Sequence, residues 1–327
     1  MMYKQAAFQD ADRFSVAPMV DITNSTFRRI ARLLSKRAML YTEMIVDKAV
    51  LRGRSSLLDF CPEELPCVLQ LGGSDPATLA EAGKIALDRG YSALNLNAGC
   101  PSDRVQSGDF GAVLMKTPEL IGDCVKALQD ATGTFVSVKT RIGVDECDSY
   151  EYTMKIVKAV YDAGCRHIIM HARKAWLNGL SPKENRSVPP LDYDRVYAVK
   201  EQFPDLYVTI NGGITSIEAC REQLAKVDGV MLGRAVSDNP YLLAMVDHEL
   251  YGEPDPILTR EEILNRITDF SEEYLKEGGK IKHVANHVLN LFNSCPGARR
   301  FRQYLSLHMS EEGMGPELFR EAYRQMH

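Results

Sequence analysis

Eight short β-rich runs, each followed by a segment with helical spacing, constrain this chain more than any other feature. They are RFSVAPM (13–19), AMLYTEM (38–44), PCVLQL (66–71), ALNLN (93–97), FVSVK (135–139), HIIMH (167–171), YVTIN (207–211) and GVMLG (229–233). Strands that alternate with helices pair in parallel, since a parallel neighbour is reached only through a crossover. Eight such units within about 250 residues suit a closed α/β barrel, the (β/α)8 or TIM barrel. An open doubly wound sheet is the alternative, although it does not normally need eight strands.

The pattern changes after DHELYGEPDPILT. From Arg260 onward, EEILNRITDFSEEYL and HVANHVLNLF carry helical apolar periods and no further strand candidate follows. The segment with Pro254 and Pro256 reads as a linker, which gives a barrel over 1–252 and a small all-helical domain over 253–327. No stretch approaches the roughly 18 uninterrupted apolar residues of a spanning helix. The first residues, MMYKQAAFQDADRF, contain acids and no apolar core of a secretion signal, so a cytoplasmic protein is expected. Eight cysteines without a CxxC pair read as reduced thiols, and no metal site is expected. A net charge of −5 means that any nucleic-acid contact has to come from a local basic face.

Barrel chemistry sits at the C-terminal ends of the strands, and these ends are polar. The first ends in Ala17, Pro18 and Met19, the third in Gln70, the fourth in Asn95 and Asn97. The fifth ends in Lys139 with Arg141, and the sixth in His171 with Arg173. Asn211-Gly212-Gly213 and Gly233-Arg234 close the last two. Glycine N–H groups beside an arginine make an anion cradle, so a phosphate is expected between strands seven and eight. No GxGxxG turn is present, and one phosphate points to a mononucleotide.

Several of these stretches, APM, LNLNAGCPSDRV, VKTRIG, HARKAWLNGLSPKENR, NGGI and LGRA, closely resemble tRNA-dihydrouridine synthases of the A-type subfamily, which act on D-loop uridines. The likeness runs from about Arg13 to the C-terminus and takes in PGARRFRQYLS. It implies an FMN-bearing barrel followed by a helical tRNA-binding domain, with NADPH as reductant, and a monomer is expected. Flavin contacts carry over to Pro18, Met19, Gln70, Lys139, His171, Asn211, Gly212, Gly213, Gly233 and Arg234. Lys139 over the ring can stabilise negative charge on reduced flavin, and His171 can bond the ring or the phosphate. Asn97 and Arg141 would face the substrate. Lys183, Arg186, Arg299 and Arg302 would contact phosphates at the D-loop and elbow of tRNA.

The family's chemistry adds hydride to C6 of uracil and a proton to C5. The resemblance is read as placing the proton-donating cysteine in a loop motif like FGACLM, where this chain has Phe110-Gly111-Ala112-Val113-Leu114-Met115. Val113 cannot donate a proton, and Cys100 in NAGCPS is read as structural. On that reading three functions compete: a dihydrouridine synthase lacking its acid, a flavoenzyme turned to a free pyrimidine or nucleoside, and a non-catalytic tRNA-binding paralogue.

Overall fold

The strands form where the apolar runs predict them, in a computed structural model that describes residues 12–53 and 55–327. They are β1 (Phe14–Val16), β2 (Met39–Val46), β3 (Cys67–Gly72), β4 (Ala93–Asn97), β5 (Val136–Arg141), β6 (His167–His171), β7 (Tyr207–Asn211) and β8 (Gly229–Leu232). All pair in parallel in sequence order, and β1 returns to β8 through Phe14↔Val230, Ser15↔Met231 and Val16↔Leu232, which closes the barrel. The doubly wound alternative is excluded. The reading of the N-terminal residues as free of a secretion signal falls mainly on residues 1–11, outside the described residues.

Strand residues alternate between two faces, and two apolar clusters result. A small one, including Met39, Tyr41, Val68, Ala93, Ile169 and Met231, fills the barrel. The larger lies between strands and outer helices and runs on into the C-terminal helices. Below the inner cluster the barrel floor is polar: Tyr41 Oη donates to Asp12 Oδ2 at 2.7 Å, and His167 Nε2 bonds Thr209 Oγ1 at 2.8 Å. Burial raises the Asp12 carboxyl to about 7.

The register also brings the polar strand ends side by side. Gln70 lies opposite Asn95, Asn97 opposite Lys139, Arg141 opposite His171, and His171 opposite Asn211. One ring of side chains thus crowns the barrel.

After the helix Leu242–Tyr251, Gly252 in the left-handed region ends the turn, and no helix or strand is formed before Arg260. Helices Arg260–Lys276, Ile281–Val288, Ala298–His308 and Glu317–Arg324 follow, the first opened by a Thr259–Glu262 capping box. Two of them pack on the first barrel helix, Ser25–Leu34. Phe27 meets His287 edge-on there, Thr26 Oγ1 is 2.9 Å from Tyr274 Oη, and Arg29 pairs with Glu277 at 2.6 Å. Glu277 is half exposed, so the pair itself adds little. The joint is held mainly by the apolar faces of the helices, buried in the shared cluster. Among the described residues no helix is long and apolar enough to cross a membrane.

Candidate active site

The crown of the barrel opens into a cavity of about 1380 Å³. It gathers Pro18, Met19, Gln70, Asn97, Lys139, Arg141, His171, Arg186, Asn211, Gly212, Gly213, Gly233 and Arg234 from separate strand ends and loops. Lys183 is exposed on the surface outside it. Arg299 and Arg302 lie elsewhere, around a recess of about 570 Å³ that Arg300 and Gly297 also line.

The floor of the cavity is a chain of carboxamides. Gln70 Nε2 donates to Asn95 Oδ1 at 2.7 Å, Asn95 Nδ2 donates to Ser137 Oγ at 2.8 Å, and Asn97 Nδ2 donates to Gln70 Oε1 at 2.9 Å. Asn97 Oδ1 then accepts the backbone N–H groups of Gly99 (3.2 Å) and Cys100 (3.1 Å). A carboxamide bonded at both its nitrogen and its oxygen holds one orientation, so Asn97 fixes the start of the loop that carries Cys100.

That loop corrects the reading of position 113. Cys100 lines the cavity, three residues past the end of β4, and its thiol is 3.5 Å from Ser102 Oγ. Val113 does not line it. The residues from Gly111 to Lys116 form a 3-10 turn in which Val113 packs against the hydrophobic core, while Ala112 N donates to the Cys100 carbonyl at 2.9 Å. Gly111 has φ +70°, and a Cβ there would sit 2.6 Å from that same carbonyl. GDFGAVLM is therefore a buttress behind the Cys100 loop, and a proton donor at 113 would face the core. The signal that favours Cys100 was present in its nearness to a strand end.

Arg141 also departs from expectation. It belongs to β5 and is only 4% exposed. Nε donates to the Gly99 carbonyl at 2.9 Å, and Nη1 to the carbonyls of Lys174 (3.1 Å) and Asn185 (2.9 Å). Much of its donor capacity thus ties the Cys100 loop to the loop after β6, which leaves less of it for a substrate than the sequence suggests.

Carboxylates line part of the cavity, at Glu43, Asp47, Asp59 and Asp238, but none acts on its cationic side. None of Lys139, Arg141 and Arg186 has a carboxylate among the charges acting on it. Lys139 Nζ has the Asn211 carboxamide at 3.1 Å, and burial, followed by the charge of Arg141, pushes its ammonium down to about 7. Burial and the surrounding cations hold His171 well below the ordinary histidine value, so its ring is neutral. The buried His171 Nδ1 has no hydrogen-bond partner. Between β7 and β8, Gly212 (φ +111°) and Gly213 (φ +74°) lie under Leu191 and Tyr193, and Arg234 Nη2 rests on the Arg186 carbonyl at 3.1 Å. A Cβ on Gly213 would meet Leu191 at 2.5 Å. An uncompensated cationic group, an orphaned ring nitrogen and a glycine cradle together fit an anionic, aromatic ligand with a phosphate, and FMN has that form. Among the described residues no group of three or more His, Cys, Asp or Glu side chains could hold a metal.

Lys139 gives this fit a measurable consequence. A bound anion favours the ammonium, so FMN affinity should fall as pH rises above about 7, by up to tenfold per unit until the bound-state value is passed. The ligand-free protein should behave oppositely. Between about 7 and the unfolded value near 10.4 the unfolded chain binds the extra proton, so folding stability should rise with pH across that window. Flavin fluorescence titrations from pH 6 to 10 read the first effect, and a flat profile would refute it.

The profile of the family described as dihydrouridine synthase (Dus) matches residues 15–326. A protein named tRNA-dihydrouridine(20/20a) synthase from Shewanella oneidensis is 49% identical over 313 residues, 96% of this chain and 93% of that one. Its namesake from Synechocystis sp. is 49% identical over 322 residues, covering 98% and 96%. The namesake from Escherichia coli O6:H1 is 49% identical over 304 residues, covering 93% and 92%.

Proposed function

The chain belongs to the dihydrouridine synthase family, and from that premise we propose that it is an FMN-dependent oxidoreductase that uses NADPH to reduce D-loop uridine in tRNA. The observation that carries the reading is a thiol, Cys100, lining the same cavity as Lys139 and the glycine–arginine cradle. Gly212, Gly213, Gly233 and Arg234 would hold the FMN phosphate; Pro18, Met19, Gln70, Lys139, His171 and Asn211 would line the ring and its chain. When bound, FMN would supply the hydride that C6 of the uracil accepts.

The protein's own groups supply the rest. Hydride addition at C6 builds negative charge on C5 and the adjoining carbonyl oxygen, where the buried Lys139 would provide positive charge. The Cys100 thiol gives its proton to C5, and the thiolate left behind regains one from solvent. Asn97 and the 111–116 buttress keep that sulfur in place. With an acid in the cavity, the two competing functions lose the ground that Val113 gave them.

Arg186 at the cavity mouth, with Lys183, Arg299 and Arg302, would meet the tRNA backbone. The barrel over 1–252 and the helical segment over 253–327 would then divide catalysis from docking, in a cytoplasmic monomer. The test is mass spectrometry of D-loop uridines in tRNA incubated with the purified protein and NADPH, alongside tRNA binding at several salt concentrations. A mass gain of about 2 Da on a D-loop uridine is expected, with affinity that falls with salt and a slope flattened by about one unit for each of these charges removed. Unmodified tRNA from flavin-loaded protein would overturn the reading.

A further inference from the structure

We propose that Val20 is a wedge: it packs against the nucleobase next to the target uridine and fills the space that uridine leaves. The proposal rests on the functional reading above. A uracil reaches Cys100 only by entering the cavity, so it has to leave its neighbours, and the face it uncovers on the adjoining base is apolar. Val20 lines the cavity yet is 59% exposed.

A loose loop would turn such a side chain inward, and this one is pinned. Met19 N donates to Thr23 Oγ1 at 3.0 Å, and the Ile22 and Thr23 N–H groups both donate to the Met19 carbonyl, at 3.1 and 2.9 Å. Between them Asp21 occupies the left-handed region at φ +63°, with its N–H donating to the Glu43 carboxylate at 2.6 Å. A non-glycine residue stays in that conformation only when its surroundings hold it, and such positions cluster at functional sites. The result is a fixed apolar knob at the mouth of a cavity that Arg186 and Arg234 make cationic elsewhere, where a backbone phosphate would be welcome. Apolar side chains inserted between base steps act as wedges in other nucleic-acid-binding proteins.

The test compares wild type, Val20→Ala and Val20→Leu on intact tRNA and on tRNA with an abasic residue beside the target uridine. On intact tRNA, Val20→Ala should lower kcat/KM for dihydrouridine formation about 3- to 15-fold, the worth of the two methyl groups removed from the contact, while Val20→Leu keeps it. Flavin content and NADPH-driven flavin reduction should be the same in all three. On the abasic substrate the three proteins should become equal, because the face to be covered is gone. An active wild type matched by Val20→Ala on intact tRNA overturns the wedge alone, as does an equal loss on both substrates. Loss of flavin from Val20→Ala would make Val20 a cofactor contact instead. A wild type that forms no dihydrouridine on either substrate overturns the functional reading, and the wedge with it.

Discussion

Cys100→Ala should lower dihydrouridine formation by about 10² to 10⁴, the worth of a positioned general acid, while NADPH still reduces the bound flavin at the wild-type rate. This thiol lines the same cavity as Lys139 and Arg141 and acts electrostatically on both, and no other cysteine lines it among the described residues. Cys100→Ser should be nearly as impaired, since a hydroxyl keeps the shape but is a far weaker acid. Val113→Cys is the control. That substitution is close in volume, but its thiol would face the core, so it should neither raise the wild-type rate nor rescue Cys100→Ala. Single-turnover assays, following flavin absorbance and product separately, distinguish the steps. Undiminished turnover in Cys100→Ala, or a gain of 10² from Val113→Cys, would return the proton to position 113.

Position 113 shows what sequence spacing can and cannot carry. The eight strands were legible because buried parallel strands are short apolar runs, and their ends were legible because polar residues interrupt those runs at the cavity. Hence Gln70, Asn97, Lys139, His171 and Asn211 could be placed before any contact was known. The direction of Val113 was not legible, since it depends on Gly111 at φ +70° folding the chain behind Cys100. Nor was the use of Arg141: an arginine at a strand end is equally suited to a substrate and to the carbonyls of its own loops. The docking of the C-terminal helices on Ser25–Leu34 was hidden too, because Arg29 and Glu277 are 248 positions apart and meet only in the folded chain.

Arg141→Ala should lose both stability and uridine reduction, and the two losses should have one cause. Three charge-assisted bonds to carbonyls are each worth about 1.5 to 3 kcal/mol, against a desolvation cost of several kcal/mol for a buried cation. Burial already lowers the guanidinium to about 10, so the cation itself gains little here. The cost of alanine is the carbonyls of Gly99, Lys174 and Asn185 left without this partner, and a net destabilisation of about 1 to 3 kcal/mol is expected in chemical denaturation. Activity should fall further than stability explains. With Nε gone from the Gly99 carbonyl, the Cys100 loop loses its tie to the loop after β6, and a displacement of about 1 Å costs on the order of 10²-fold in a positioned reaction. The loss should appear in kcat, since the mouth of the cavity is untouched, and NADPH should still reduce the flavin. Arg141→Lys separates charge from geometry: an ammonium on a flexible stem keeps the charge but cannot reach Gly99, Lys174 and Asn185 with one rigid fork. It should therefore recover little of the lost rate. If it recovered all of it, positive charge beside the uracil would be the role of this residue, and the tie between the two loops would be incidental.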